Sequence, residues 1–215
     1  MKTANLTKLL ALVIIAWASG GAMGHPVSYK GATAFMTWNQ SFLSDTWLVQ
    51  SLSPQFAIAA RTQRMNMKDG KDSYLYTPQV NFLLKRWNEK DLQANIYLYT
   101  GFGGLRAEDK TGTAGLTGIE VDAEDRKYYA SAKYESMFAS IGEDVHQTVV
   151  RLGIAPYEAE YSELASWFML QAQYHPALST EFSLTPLARF FYKSALFETG
   201  VSFKGDWMLN LMFHF

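Results

Sequence analysis

Few side chains in this sequence could do chemistry, and they are scattered. Beyond position 24 the histidines are His25, His146, His175 and His214, and there is no cysteine anywhere. Thiolate chemistry and disulfides are therefore excluded. His146-Gln147-Thr148 puts an imidazole and a hydroxyl on one strand face, with Glu143 and Asp144 near enough to orient a base, the parts of a nucleophile and base pair. His175-Pro176 reads as a turn.

A second set suits a soft metal. Met208, Met212 and His214 share one phase of the C-terminal stretch, and Met65-Asn66-Met67 sits elsewhere. Thioethers prefer copper(I). A chain cut before His25 would also offer copper an amine and an imidazole from one residue. Methionine equally fills irregular space without any metal, and no zinc-type cluster is present.

The third set is ionic. Arg61, Lys85, Lys133, Arg151, Arg189 and Lys204, with Glu135 and Glu198, fall in the polar phase of alternating segments. Apolar residues such as Phe56/Ile58, Val80/Phe82, Val150/Leu152 and Val201/Phe203 occupy the opposite phase. Period-two alternation marks strands with two different faces. With lipid outside, these charges line a lumen. They then either plug it as an internal network or, with six cations against two carboxylates, favour small anionic solutes in a narrow passage.

Such positions need strands, and alternating runs fill the chain between turn signals. Strands are expected near 32–40, 45–53, 55–66, 73–87, 91–103, 126–138, 146–156, 164–174, 180–192, 195–204 and 206–215. A weaker run at 113–121 completes an even number, as a single-chain membrane barrel requires. The fold class is thus an all-β, antiparallel transmembrane β-barrel of 12 strands, with 10 as the alternative. A lipocalin-like soluble barrel shows the same period with its faces reversed. Longer loops at 67–72, 104–112, 140–144 and 175–180 are expected on the outer side. A bulge is expected at Pro186, which cannot donate to a ladder.

Both ends of the sequence agree. Lys2 and Lys8 precede an apolar run from Leu9 to Trp17, and the small residues Ala22 and Gly24 sit at minus three and minus one to a cleavage before His25. Residues 1–24 read as a signal peptide and 25–215 as the barrel. The run is too short for a membrane helix, which needs about 20 apolar residues, so a closed barrel is the remaining way to span lipid. Without Lys2 and Lys8 the barrel carries 17 basic and 20 acidic residues, a net charge of minus 3. That balance argues against nucleic acid as a partner. A monomer in the lipid bilayer is the expected state.

The final stretch, Trp207-Met-Leu-Asn-Leu-Met-Phe-His-Phe215, resembles the closing strand of Gram-negative outer-membrane barrels. The resemblance implies that Trp207, Phe213 and Phe215 serve as an assembly signal for the outer-membrane assembly machinery. His146-x-Thr148 is loosely similar to the His-x-Ser of outer-membrane phospholipase, with threonine replacing serine, which implies a lipid-modifying enzyme as one alternative. His25-Pro-Val-Ser-Tyr-Lys-Gly31, together with Gly205–Phe215, is similar to poorly characterised proteobacterial outer-membrane proteins. Some of these are associated with heavy-metal resistance neighbourhoods, which implies a copper or heavy-metal role involving His25 and the final strand.

Overall fold

The computed structural model describes residues 25–160 and 162–215, and the signal peptide expected over 1–24 lies outside the described residues. Twelve strands follow one another: β1 (Thr33–Gln40), β2 (Leu43–Ser53), β3 (Phe56–Asn66), β4 (Asp72–Asn88), β5 (Gln93–Ala107), β6 (Lys110–Glu124), β7 (Tyr128–Ala139), β8 (Val145–Ile154), β9 (Ala165–Tyr174), β10 (Phe182–Tyr192), β11 (Ala195–Val201) and β12 (Trp207–His214). Each pairs antiparallel with its sequence neighbours. β1 also pairs with β12, from Ala34 opposite His214 to Gln40 opposite Met208, so the sheet closes on itself. Thr33 and Phe215 complete that seam by exchanging two backbone hydrogen bonds. Closure leaves no unpaired edge, which is what lets a sheet span lipid.

The faces decide between a membrane barrel and a soluble one. Outward side chains are apolar and open, with Phe102, Phe168 and Phe203 at 65%, 65% and 74% exposure. Inward positions hold Arg61, Asn81, Gln171 and Glu198, each at 1% or less. A soluble barrel reverses this. The chain is a small outer-membrane-type transmembrane β-barrel.

An even strand number puts both ends of the barrel at one rim, taken as periplasmic by the usual orientation. The connections at 54–55, 89–92, 125–127, 155–164 and 193–194 share that rim, and those at 41–42, 67–71, 108–109, 140–144, 175–181 and 202–206 share the outer one. Two expectations change. The loop anticipated over 104–112 is instead strand on both sides of a turn at Glu108 and Asp109, with Glu108 at φ 52°. The longest connection, 155–164, falls on the periplasmic rim.

Pro186 needs no bulge, because it sits opposite Leu170 in an unbroken β9–β10 ladder. The β10–β11 ladder begins only at Leu187 opposite Gly200, and the Pro186 carbonyl faces Gly200. The missing N–H therefore interrupts that ladder locally, and pairing continues beyond it in the same register, where Phe203 N donates to Leu184 O at 3.0 Å.

The bulge lies elsewhere. In β4 the register shifts between Leu83 and Lys85, so Phe82 faces Leu98 but Lys85 faces Ile96 and Arg86 faces Asn95. One extra residue exchanges the two faces of a strand. A second break in the same ladder surrounds Pro78, where β4 comes so close to β5 that a Cβ on Gly103 would lie 2.0 Å from the Tyr76 carbonyl oxygen.

Candidate functional site: the lumen

From the outer rim inward, the first layer is apolar. Phe42, Met65, Leu75, Leu105, Leu116 and Met137 converge within one cluster and are at most 3% exposed. Residues 175–181 fold in over them. Leu178 bridges to Met67, Lys68 N donates to Ala177 O at 3.1 Å, and Ser179 N donates to Asn66 O at 2.9 Å. His175 is wholly buried and meets Phe42 edge-on at 5.5 Å, and neither ring nitrogen has a hydrogen-bond partner. Burial drives its pKa down to about 4, and the nearby Lys133 ammonium pushes the same way.

The second layer is ionic and centres on Arg61. Its Nε and Nη2 donate to the two Asp45 oxygens at 2.9 and 2.7 Å, and Nη1 and Nη2 donate to the two Glu135 oxygens at 2.7 and 2.9 Å. One guanidinium thus holds two carboxylates in forked geometry and joins β3 to β7 through the lumen. The Trp47 ring lies 4.5 Å from its centre, within cation–π range. Lys133 Nζ sits 3.7 Å from Glu135, so two cations meet two anions.

A third cluster collects around Glu198. Arg189 Nε donates to it at 2.6 Å, Arg151 Nη1 approaches at 3.3 Å, and Asn210 Nδ2 donates at 2.7 Å. Arg151 also donates to Gln171, and Arg189 packs over Tyr129 at 4.6 Å. Between these layers remains a void of only about 80 Å³.

Below them a vestibule of about 610 Å³ opens towards the periplasmic rim. The segment from His25 to Ala32 enters here. Pro26 O accepts from Asn81 Nδ2 at 3.0 Å, and Ser28 N donates to Ser51 Oγ at 2.9 Å. The His25 ring stacks on Tyr97 at 5.5 Å, with Nδ1 3.4 Å from Asp122. This segment is held inside the barrel rather than moving freely beneath it, as a mobile copper ligand would.

Of the residues singled out as lumen-lining, Arg61, Lys133, Glu135, Arg151, Arg189 and Glu198 point inward. Lys85 does not, because the β4 bulge turns it to the outer wall beside Trp87, at 5.7 Å. Arg86 takes the inward place and donates to Asn95 and Tyr97 at 2.6 and 3.1 Å. Lys204 lies exposed in the outer turn after β11. Sequence reasoning also missed Asp45 and the run Glu120, Asp122, Glu124, because the acidic stretch resembled a turn while β6 continues in register to Glu124. The inward charges are then Arg61, Arg86, Lys133, Arg151 and Arg189 against Asp45, Glu120, Asp122, Glu124, Glu135 and Glu198. The expected positive surplus is gone.

The candidate metal residues do not form one site. Met208 and His214 are six residues apart on a single strand, roughly 20 Å at ~3.3 Å per residue. Met208 Sδ instead accepts from Gln171 Nε2 at 3.5 Å, while His214 Nε2 lies 3.3 Å from Met212 Sδ. Trp207, Phe213 and Phe215 face outward, at 50%, 37% and 37% exposure. On the outer wall, the hydroxyl closest to His146 is Ser136 Oγ, 3.0 Å from Nδ1, rather than Thr148. Asp144 accepts from the Ala139 amide instead of orienting the ring, and Ser136 is only 4% exposed.

No family model matches the chain, and no curated protein matches it. Among solved structures, a KdgM porin in complex with disordered oligogalacturonate aligns with 86% of this chain and 99% of its own, at TM-score 0.49 and 7% identity. A second KdgM porin structure has the same coverage, at 0.48 and 8%. The beta domain of the Bordetella autotransporter BrkA aligns at 0.43 and 9%, over 86% of this chain and 97% of its own. The barrel assignment rests on the strand register and burial described above.

Proposed function

We propose that this chain is a monomeric bacterial outer-membrane barrel, plugged against through-passage, whose working compartment is the periplasm-facing vestibule. Residues 1–24 direct export, and the outer-membrane assembly machinery inserts 25–215 into the bilayer. The observation that carries the reading is Arg61, held by Asp45 and Glu135 between β2, β3 and β7. Breaking such a buried pair costs about 3–5 kcal/mol, so thermal opening of that layer is rare. The apolar layer above it adds a second closure. The vestibule volume, about 610 Å³, lies within the range of small-molecule sites.

An anion-preferring passage finds no support in the charge balance of the lumen. Copper binding keeps one specific observation, the contact of His214 with Met212. Copper(I) titration of wild type against His214→Ala tests it, and equal affinities would end it.

The lack of cysteine makes sidedness measurable. Ala165→Cys, in the vestibule wall, should react with a polymer-linked maleimide too large for general porins only after the periplasm is opened. Labelling from outside on intact cells would overturn the proposal.

A further inference from the structure

The guanidiniums lining the vestibule are engaged by carboxylates, whereas two of its own carboxylates are not engaged in return. Glu198 engages both Arg151 and Arg189, and Arg126 turns to Glu158 and Glu160 on the rim. On β6, Glu120, Asp122 and Glu124 alternate along the inward face. Asp122 is held by Asn95 at 2.6 Å and by His25. Glu124 Oε1 is buried against the vestibule with no hydrogen-bond partner, and Glu120 has no hydrogen bond or ion pair among the described residues. A buried acceptor without a donor is costly, and this one lines a cavity large enough to admit a ligand that brings donors.

The remaining walls narrow the class. Trp38, Tyr129 and Trp167 line the same cavity, and aromatic faces favour organic cations over strongly hydrated metal ions. The carboxylates Glu89, Asp91, Glu120, Glu124, Asp125 and Glu198 outnumber the cations Lys90, Arg126, Arg151 and Arg189. Glu120 and Glu124 are four residues apart on β6, about 13 Å at ~3.3 Å per residue, a span that suits the end amines of a long extended diamine or linear polyamine.

Resting on the vestibule reading, we infer that the cavity binds long linear aliphatic diamines and polyamines. Their terminal ammonium groups are taken by Glu120 and Glu124, and their methylenes lie against the aromatic wall.

The test titrates the purified full chain in detergent while following tryptophan fluorescence, since Trp38 and Trp167 line the site. Spermidine should give a saturable change, with butylamine at least ~10-fold weaker, the equivalent of about 1.4 kcal/mol. A series of diamines should bind more tightly as the chain lengthens from putrescine towards diaminodecane, which tests the spacing without any variant. Glu120→Gln combined with Glu124→Gln should lower spermidine affinity ~10-fold or more while the heat-shift on gels is retained. Absence of a saturable response, butylamine binding as tightly as spermidine, or an unchanged variant would each overturn the inference. If Ala165→Cys is labelled only from the periplasm and diamines do not bind, the ligand assignment falls and the closed barrel stands. Labelling of that cysteine from outside would bring down the vestibule reading first.

Discussion

The middle of the lumen and the vestibule use the same side-chain types and differ in how charges are met. Around Arg61 every charge has a partner in forked or bridging geometry. Along β6 below it, Glu124 keeps a buried oxygen unmet. Partner-complete networks hold strands at fixed distances, whereas an unmet acceptor at a cavity wall is a structural cost that a ligand can relieve. The contrast separates the part of the lumen that makes the barrel from the part that could act.

The sharpest way to break this comparison is a pair of carboxylate removals. Glu135→Ala leaves Arg61 buried with half its partners and should cost about 3–5 kcal/mol, read as a lower urea midpoint for loss of the heat-shifted band. Glu124→Gln removes an unpartnered charge and should fall within about 0.5 kcal/mol of wild type. Similar losses in both would erase the distinction.

His175 supplies a pH test of the outer layer. Its docked pKa, about 4, lies below the 6.5 of a free imidazole, so the undocked loop binds the proton more readily. Docking is at full strength above about pH 6.5 and weakens as pH falls towards 4, by at most about 3 kcal/mol. Hydrogen-exchange protection factors of residues 175–181, corrected for the intrinsic exchange rate at each pH, should fall across that window in wild type and stay flat in His175→Phe. A flat wild-type profile would mean that the imidazole is not buried.

At the seam the expected effect is smaller. Phe215 closes β1 on β12 through its backbone, while its ring lies on the lipid side. Phe215→Ala should therefore lower the folded fraction reaching the outer membrane without shifting the urea midpoint of the molecules that do fold. Normal assembly would make the ring incidental. Smallest of all, Lys85→Ala and Lys204→Ala should each stay within about 0.5 kcal/mol, since neither reaches the lumen.

Strand order and the inward phase of most ionic residues were legible because the two faces of the wall meet opposite solvents. What failed was local. The β4 bulge was concealed by Leu83-Leu84 and Lys85-Arg86, adjacent pairs in which either member fits either face. Phe82 and Trp87, both outward yet an odd number of residues apart, carried the signal. The acidic end of β6 looked like a turn by composition, although Glu120, Asp122 and Glu124 alternate with Val121 and Ala123. The apolar outer layer was not legible, because it depends on residues 175–181 folding inward, a tertiary event with no periodic signature. The network around Glu198 was half visible, since pairing across strands is set by register rather than by spacing along one strand.

Closure is the central claim, and conductance tests it most directly. Purified barrel inserted into a planar bilayer should give a quiet baseline at moderate voltage, and Glu135→Ala should add noise or brief openings as the Arg61 layer loosens. Long-lived, regular steps from the wild-type protein would contradict the account.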